Sequence, residues 1–538
     1  MPFNITTDDS ANVFMVGMMR DTVDLDPGPG VYRLDTMAGK VFIIKLDSSG
    51  RFKWAHNIGN SYSSYGRLHV DAEGNVIFTC SADEAYDYDP GPAIFRVPDK
   101  SMIIRKFDNN GNLLWVKSLD KKNPGGGTLV RGLTTDESGN IYLHGYISGV
   151  VDIDPGVGIF EVRCDGMYEW GGFVCKLDRN GNFNWGKFLH CGAPSASWGV
   201  NNANSLFLDS KKNLYFTGSY TGSVDFDPGP GTFTMATATG TTEGFVCKLD
   251  GSGNFIWARR MSGFYVQETV LAGDQQDNVY IAGIFSYSID PSPGWHSYIL
   301  NARGPSTNTF VMKLDTAGTL KWAKGIYAKK GAGNQNFIDV DKRRHIYLTG
   351  FLIDSVFLYD RSKQYTLTKA DDDEAGILIK LDSGGKLLGS KVLAAIDARS
   401  MLYTTYVDKQ SNIYFAGNFE DSVLLDPDAT ATRFFLKRRS AMYLMKLAQP
   451  IPVSLHSFST AENCSVYPNP TNGPLTLLIE GFEKEAVAEV FSIDGRSLLS
   501  QTTTQSQVAL DISNYPSGMY LVRVSDAQRK TYIKVLKQ

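Results

Sequence analysis

The sequence predicts an all-β chain: a seven-bladed β-propeller over residues 1–448, a linker over 449–463, and a small Ig-like β-sandwich over 464–538. Three observations predict it. A motif returns with its Lys at 45, 106, 176, 248, 313, 380 and 446, at steps of 61 to 72 residues. No stretch between these anchors carries the 3.6-residue period of a helix. The 538 residues include 53 Gly, 26 Tyr and 30 Phe, a mix of turn formers and strand-favouring aromatics.

Each repeat is built from two anchors in one phase. The first is the KLD-type strand, followed nine residues after its Lys by Trp54, Trp115, Trp185, Trp257 and Trp322; the sixth copy has Gly389 there, and the seventh has no such segment. The second is a short apolar strand opening at Asn12, Asn75, Asn140, Asn213, Asn278, His345 and Asn412, with an Asp four residues earlier at 8, 71, 136, 209, 274, 341 and 408. The unit parses into four antiparallel strands, of which the third and fourth are joined by Asp-x-x-Gly-x. That Gly is expected at positive φ, which a tight hairpin requires and Gly adopts without strain. Two residues before each Trp stands Phe or Leu, on the same strand face, so the fourth strand presents an apolar stripe to a neighbour. The same indoles, were they on a loop, would read as a ring for stacking sugars; on a patterned strand they read as packing.

Charge and motifs exclude several functions. With 53 basic and 57 acidic residues the net charge is −4, which leaves no electrostatic footprint for nucleic acid. No run of 18 apolar residues exists, so no transmembrane segment is expected. Residues 1–30 lack the basic and apolar regions of a signal peptide. Six Cys, at 80, 164, 175, 191, 247 and 464, show no CxxC pairing; Cys175 and Cys247 share one repeat slot and read as small buried apolar residues, while the disulfide state stays open. Nucleophile-elbow, zinc-protease, P-loop and dinucleotide motifs are absent. His144 lies within a strand and reads as a packed residue. The off-pattern stretches Cys164–Trp170, Cys191–Trp198 and Asp371–Glu374 belong to no known site. No catalytic residue is assigned.

Between the second and third strands run VDLDPGPG (23–30), YDYDPGPA, VDIDPGVG and VDFDPGPG, decaying in later units. The second Asp is read in all seven units (26, 89, 154, 227, 290, 360, 426) and the first in four (24, 87, 152, 225). Asp-x-Asp places both carboxylates on one strand face, a partial calcium site; yet calcium takes 6–8 oxygens, and the motif lacks a distal Glu. The simpler expectation is an Asp side chain fixing a Pro-Gly turn.

These four pieces in recurring order resemble the SBBP type of seven-bladed β-propeller repeat across residues 3–448. The resemblance implies the propeller and no particular chemistry. It also implies a Trp-bearing strand, and before that a signal peptide, ahead of the first strand, so the natural chain is expected to begin upstream of Met1. The alternative filler for the outer strand of blade seven is Val453–Phe458.

After Leu447 the repeat stops. Cys464–Gln538 shows short alternating strands divided by NG, DG and SG turns, read as seven strands of a sandwich. Pro468-Asn469-Pro470 with Gly473, Asp494-Gly495-Arg496, Pro516 to Tyr520 (including Gly518), and the basic end Lys534–Lys537 resemble the type A C-terminal sorting domain of the type IX (Por) secretion system of Bacteroidetes-type bacteria. The resemblance implies recognition by the secretion translocon, with Pro468, Asn469, Pro470, Gly473, Gly495, Gly518 and Tyr520 as the sorting signal, and a secreted or outer-membrane-surface destination.

The expected function is therefore a non-enzymatic binding or adhesion module for an extracellular glycan or protein. The alternative is a polysaccharide hydrolase or lyase using carboxylates at the propeller face, which two carboxylates about 5–9.5 Å apart in one pocket would mark. A purely structural surface role is the third reading.

Overall fold

The computed structural model describes residues 2–19, 22–34, 41–59, 66–82, 86–89, 94–96, 101–123, 126–164, 170–189, 200–292, 298–302, 307–328, 337–352, 355–360, 363–368, 375–393, 400–408, 410–424, 433–447, 464–479, 486–492, 497–525 and 530–538. The chain divides into two compact domains, Met1–Leu455 and His456–Gln538. Among the described residues every regular element is a β-strand.

In the first domain, short strands alternate with hairpin turns and pair antiparallel in chain order. Unit one consists of Pro2–Thr7, Val13–Met18, Val41–Leu46 and Phe52–Gly59. Unit two is Arg67–Val70, Val76–Ser81, Met102–Phe107 and Leu113–Lys121; unit three is Gly127–Thr135, Ile141–Asp152, Gly171–Leu177 and Phe183–Leu189. Unit four comprises Val200–Leu208, Leu214–Tyr220, Glu243–Leu249 and the start of Phe255–Gly273, whose far end is the first strand of unit five with Val279–Asp290, Asn308–Leu314 and Leu320–Ala328. Unit six is Phe337–Val340, Ile346–Leu352, Ala375–Leu381 and Leu387–Leu393. The last sheet has three described strands, Ser400–Val407, Ile413–Leu424 and Arg433–Leu447.

The first strand of each unit packs against that of the next, and Ser400–Val407 returns against Pro2–Thr7. One apolar cluster accordingly joins Ile5, Met15 and Phe42 to Tyr414 and Ala416 across this junction. The result is a propeller-like, all-β ring of antiparallel sheets. Second and third strands form its core: Phe14, Phe42, Phe78, Tyr142, Tyr215, Phe216, Tyr280 and Phe310 are fully buried.

The turns follow from their residues. All six glycines between third and fourth strands (Gly50, Gly111, Gly181, Gly253, Gly318 and Gly385) have φ between 76° and 88°, the conformation that favours Gly. The turn between first and second strands has the same shape with less demanding residues: Ala11, Lys212, Asp277, Arg344 and Ser411 sit at φ from 59° to 66°. That strain is offset by the leading Asp. Asp8 Oδ1 accepts the Ser10 and Asn12 N–H groups at 3.0 and 2.9 Å, and its Oδ2 accepts the Asn12 amide at 2.8 Å.

In the second domain, Cys464–Tyr467, Pro474–Ile479 and Gln507–Asp511 form one sheet, and Ser497–Thr503, Ala486–Ser492, Gly518–Ser525 and Lys530–Lys537 the other. Alternation along the strands sends Leu475, Leu477, Ile479, Ala488, Val490, Val508, Val522 and Val535 into one core, the period-2 burial of a sandwich.

Candidate functional site

Carboxylates are the natural candidates for chemistry on a propeller, and here they are built into the frame of each unit, between its first hairpin and its third strand. Asp71 accepts the Glu73 and Asn75 N–H groups at 3.0 and 2.8 Å, and the Lys106 ammonium lies 2.8 Å from its Oδ2. Lys248–Asp209 at 3.3 Å and Lys313–Asp274 at 3.8 Å repeat the pair. The buried hydroxyls of Tyr142, Tyr215, Tyr280, Tyr347 and Tyr414 donate to Asp136, Asp209, Asp274, Asp341 and Asp408 at 2.9 to 3.3 Å. Lys45, Lys176, Lys248, Lys313, Lys380 and Lys446 each lie over an aromatic ring of their own second strand, Lys248 at 4.6 Å from the Tyr215 centroid. Burial pushes the Asp71, Asp136 and Asp209 pKa values up, but the hydrogen bonds from Asn75, Asn140 and Asn213, with the neighbouring Lys charges, outweigh it and hold all three below the ordinary carboxylate value. Such groups stay ionised and immobile, which suits a scaffold.

The indoles lock each unit to the next. Trp54 Nε1 donates to the Asn109 carbonyl at 3.1 Å, Trp257 to Thr316 at 3.3 Å and Trp322 to Ser383 at 3.1 Å. In every case the acceptor belongs to the Gly-containing turn of the following unit, and a Cβ on Gly111, Gly181, Gly253, Gly318 or Gly385 would stand 2.9 to 3.1 Å from the Trp ring below. Gly therefore serves twice there, for its φ and for the close approach. These rings are packing elements rather than a sugar-stacking circle.

The DPGPG loops are self-bonded. Asp24 Oδ1 accepts from Asp26 and Tyr32 N–H at 3.2 and 2.9 Å, while Asp26 Oδ1 accepts from Gly28 N–H at 2.7 Å. Asp152/Asp154 and Asp225/Asp227 repeat all three bonds, and Asp87 accepts from Asp89 and Phe95 at 3.1 and 2.8 Å. In units one, three and four the fifth residue is Gly, and the carboxylate of the second Asp fills the space a side chain would take: a Cβ on Gly30, Gly158 or Gly231 would lie 2.1 to 2.2 Å from Asp26, Asp154 or Asp227. One oxygen of each aspartate thus already holds N–H groups, the role of a turn. Among the described residues no three His, Cys, Asp or Glu side chains converge as metal ligands.

The reading of Asp290 as a second Asp requires correction. Its Oδ1 accepts from residues two and eight further on, Ser292 at 3.0 Å and Tyr298 at 3.3 Å, as Asp24 does. Tyr298 also reaches the Ala323 carbonyl at 3.0 Å, as Tyr32 reaches Ala55 at 2.9 Å. Asp290 is thus the first Asp, and Ser292 holds the second position; the Pro that follows Asp290 imitates the Asp-Pro step of the other units. Asp426 lies outside the described residues.

Side chains peculiar to one unit stand out against this regular frame. His144 is fully buried, bonded to the Phe173 carbonyl at 2.9 Å and tilted against the Phe216 ring, a packed residue with its pKa brought down to about 4 by burial. Arg105 occupies the slot of Cys175 and Cys247, buried against Phe78, Tyr88 and Phe107 and donating to the Ile58 carbonyl. On the innermost strands, Arg67 of unit two bonds the Arg131 carbonyl of unit three, and His69 meets Thr135 Oγ1 at 3.0 Å. Arg131 sits on a β-bulge and donates to Tyr146 Oη at 3.1 Å, and Trp170 packs edge-on against Tyr146 with ring centres 5.1 Å apart. Opposed in chemistry is Asp339 of unit six, whose oxygens accept the Val340 and Val407 N–H groups at 2.9 and 2.8 Å; burial raises its pKa to about 6. Nothing in the repeat phase marks Arg67 or Arg131, so sequence reasoning misses both. Of the off-pattern stretches, 165–169, 191–198 and 371–374 lie outside the described residues, as does Val453–Phe458. Cys80, Cys175 and Cys247 are buried free thiols.

In the second domain Asn469, one of the residues expected to carry the sorting signal, and the neighbouring Thr471 meet the end of the chain. Asn469 Oδ1 accepts the Leu536 N–H at 2.9 Å, Thr471 N–H donates to Leu536 at 2.8 Å, and Gln538 N–H donates to Thr471 at 2.9 Å. Pro468 and Pro470 both follow cis peptide bonds. Gly473, at φ 141°, leaves no room for a side chain, since a Cβ would lie 2.1 Å from Ser513 Oγ. Lys537 Nζ caps the Ser513 carbonyl at 2.7 Å and that of Tyr515, and Tyr520 Oη bonds the Pro516 carbonyl. Gly518, at φ 154°, opens the strand that carries Tyr520. Gly495 lies outside the described residues.

Residues 465–538 match the family described as "Secretion system C-terminal sorting domain". An uncharacterized WD repeat-containing protein, L264, of Acanthamoeba polyphaga mimivirus is 23% identical over 506 residues, 78% of this chain but 35% of that protein. Ulvan lyase NLR42 of Nonlabens ulvanivorans is 34% identical over 68 residues, 12% of each chain. This chain thus spans about a third and about an eighth of the lengths of these two relatives. Among solved structures, a polysaccharide lyase family PL25 ulvan lyase bound to -[GlcA(1-4)Rha3S]- aligns with a TM-score of 0.41 at 10% identity, over 78% of this chain and 90% of that one. No helix among the described residues is long and apolar enough to cross a membrane. The carboxy-terminal domain is a type IX secretion sorting domain, and it marks the chain as a secreted or cell-surface protein.

Proposed function

We propose that the chain is a seven-bladed propeller of SBBP type that is exported by the type IX system and binds an extracellular glycan or protein without cleaving it. One observation carries the reading. Asp8, Asp71, Asp136, Asp209, Asp274, Asp341 and Asp408, the carboxylates that recur with the repeat, each accept N–H groups of their own turn, and five of them also take a buried Tyr hydroxyl. They are framework, which leaves recognition to unit-specific side chains on a rigid scaffold. In the same reading Pro468, Asn469, Pro470, Gly473, Gly495, Gly518 and Tyr520 form the surface met by the translocon.

The test is a glycan array run beside a polysaccharide-degradation screen on the purified full chain. Retention of a glycan with no new reducing or unsaturated ends is expected. Product release would establish the alternative, a polysaccharide hydrolase or lyase. For the tail, removal of 464–538 is expected to strand the protein inside the outer membrane of a type IX-competent host; unchanged surface delivery would refute the sorting role.

A further inference from the structure

The innermost strands of units two and three bring two guanidinium groups together. Arg67 donates Nε to the Arg131 carbonyl and Nη1 to the Gly66 carbonyl at 3.4 Å, and both of these partners are neutral main-chain oxygens. Among the described residues no carboxylate forms an ion pair with it. Burial, then the charge of Arg131, brings the Arg67 pKa down to about 9. The group remains cationic at neutral pH but is held where its charge is under-compensated, a strain that a bound anion relieves.

The surroundings add shape. The bulge at Arg131 interrupts the ladder between Val130 and Gly132 and re-aims its side chain toward Tyr146. Its guanidinium carbon lies 5.7 Å from the Tyr146 ring centre. Trp170, at the end of the off-pattern insert and outside the repeat series of indoles, packs edge-on against Tyr146. Guanidinium forks beside aromatic faces suit a ligand that joins a planar oxyanion to an apolar ring face. An acidic sugar has both parts; a free inorganic anion lacks the second.

We propose that Arg67, Arg131, Tyr146 and Trp170 form a binding site for the carboxylate-bearing residue of an acidic polysaccharide. The site rests on the binding function proposed above and specifies its ligand class.

The experiment is calorimetric titration of the full chain with glucuronic-acid-containing oligosaccharides, sulfated galactan oligosaccharides and neutral glucan oligosaccharides of equal length, followed in parallel by Trp fluorescence. Uronate oligosaccharides are expected to bind, neutral ones not, and binding should weaken with added salt. Arg67→Gln should weaken it about tenfold to a hundredfold, as loss of a charged hydrogen bond does; Arg67→Lys should recover part of the loss, and Lys53→Gln, on an exposed fourth strand, should change nothing. Circular dichroism and melting of each variant separate loss of binding from loss of fold, and Trp170→Phe supplies a second variant outside the strands. Preference for the sulfated series, equal binding of neutral oligosaccharides, absence of uronate binding, or an unchanged affinity in folded Arg67→Gln each overturns the proposal. Retention of some other glycan on the array by Arg67→Gln would leave the binding function standing while removing this site.

Discussion

Replacing Lys106 by Met isolates the role of the buried ion pair inside unit two. The Lys106 side chain is 4% exposed and that of Asp71 1% exposed, with 2.8 Å between them, and Lys106 also donates to the Arg179 carbonyl of the next unit at 3.3 Å. Removing one member of a buried pair costs about 3–5 kcal/mol. Asp71 keeps its two main-chain N–H bonds and the Asn75 amide, so the low end, about 3 kcal/mol, is expected at pH 7. The sign with pH follows from Asp71. Its folded pKa lies below the ordinary value, so the stability it contributes is complete above the unfolded pKa of about 4 and is lost as pH falls through the folded value. The deficit of Lys106→Met should therefore be full at pH 7 and shrink below about pH 4. The double variant Asp71→Asn/Lys106→Met, which leaves no buried charge unpaired, should regain more than half. Urea midpoints from Trp fluorescence at pH 7 and 3.5 measure all three. A single-variant deficit below about 1 kcal/mol at pH 7, well under the expected cost of an orphaned charge, or one that grows on acidification, refutes the pair as an energetic element.

Arg105→Met puts the residue type of Met312 and Met445 into a slot where a cation now lies among three aromatic rings; it should raise the melting temperature of the first domain, since buried charge is replaced by packing, and a fall would refute this. His144, with its folded pKa near 4 against about 6.5 unfolded, should withdraw up to about 3 kcal/mol as pH falls from 6.5 to 4; His144→Gln should flatten that part of the stability profile, read from urea midpoints. Gly473→Ala meets Ser513 at positive φ and should destabilise the second domain by about 1–3 kcal/mol, seen as faster proteolysis of residues 464–538 in the full chain and reduced surface display. Millimolar calcium should leave the melting temperature unchanged, because one oxygen of each DPGPG aspartate already accepts N–H groups; a rise of several degrees would restore the metal reading.

The repeat frame is legible in the sequence because its residues act locally. An Asp four residues before an Asn closes a turn through its own amides, and a Gly in the fourth place of a hairpin marks positive φ; neither needs tertiary information. The alternating core of the second domain is equally plain. Arg67, Arg131 and Tyr146 are invisible for the opposite reason: they are 64 and 15 residues apart in the chain, packing of successive innermost strands joins the first two, and the bulged hairpin of unit three joins Arg131 to Tyr146. Asp290 is misplaced by the sequence pattern because a Pro beside it imitates the phase of its relatives, whereas its bonds to the second and eighth following residues disclose its position. Arg105 does carry a signal in the sequence, since six other units hold an apolar residue or Cys in its slot.

The loss of Trp in the sixth repeat coincides with a change in the seventh. Each indole from unit one to unit five rests on the Gly turn of its successor, so the residue belongs to a junction rather than to its own sheet. Unit six faces a sheet whose third strand, Arg433–Leu447, is followed by no described hairpin, so among the described residues an indole at position 389 would have no turn to cap; Gly389 pairs with Lys380 in the ladder. The complementary sign appears in unit one. A Cβ placed on its own turn glycine, Gly50, would meet no described atom within 4 Å, while its five counterparts would each touch a Trp. Among the described residues, donor and receiver are thus both absent at neighbouring junctions, on the two sides of the three-stranded sheet. Decay of a repeat motif in this chain therefore reports on the neighbour that the motif would have served, and a slot can lose its side chain without any change in the strand that carries it.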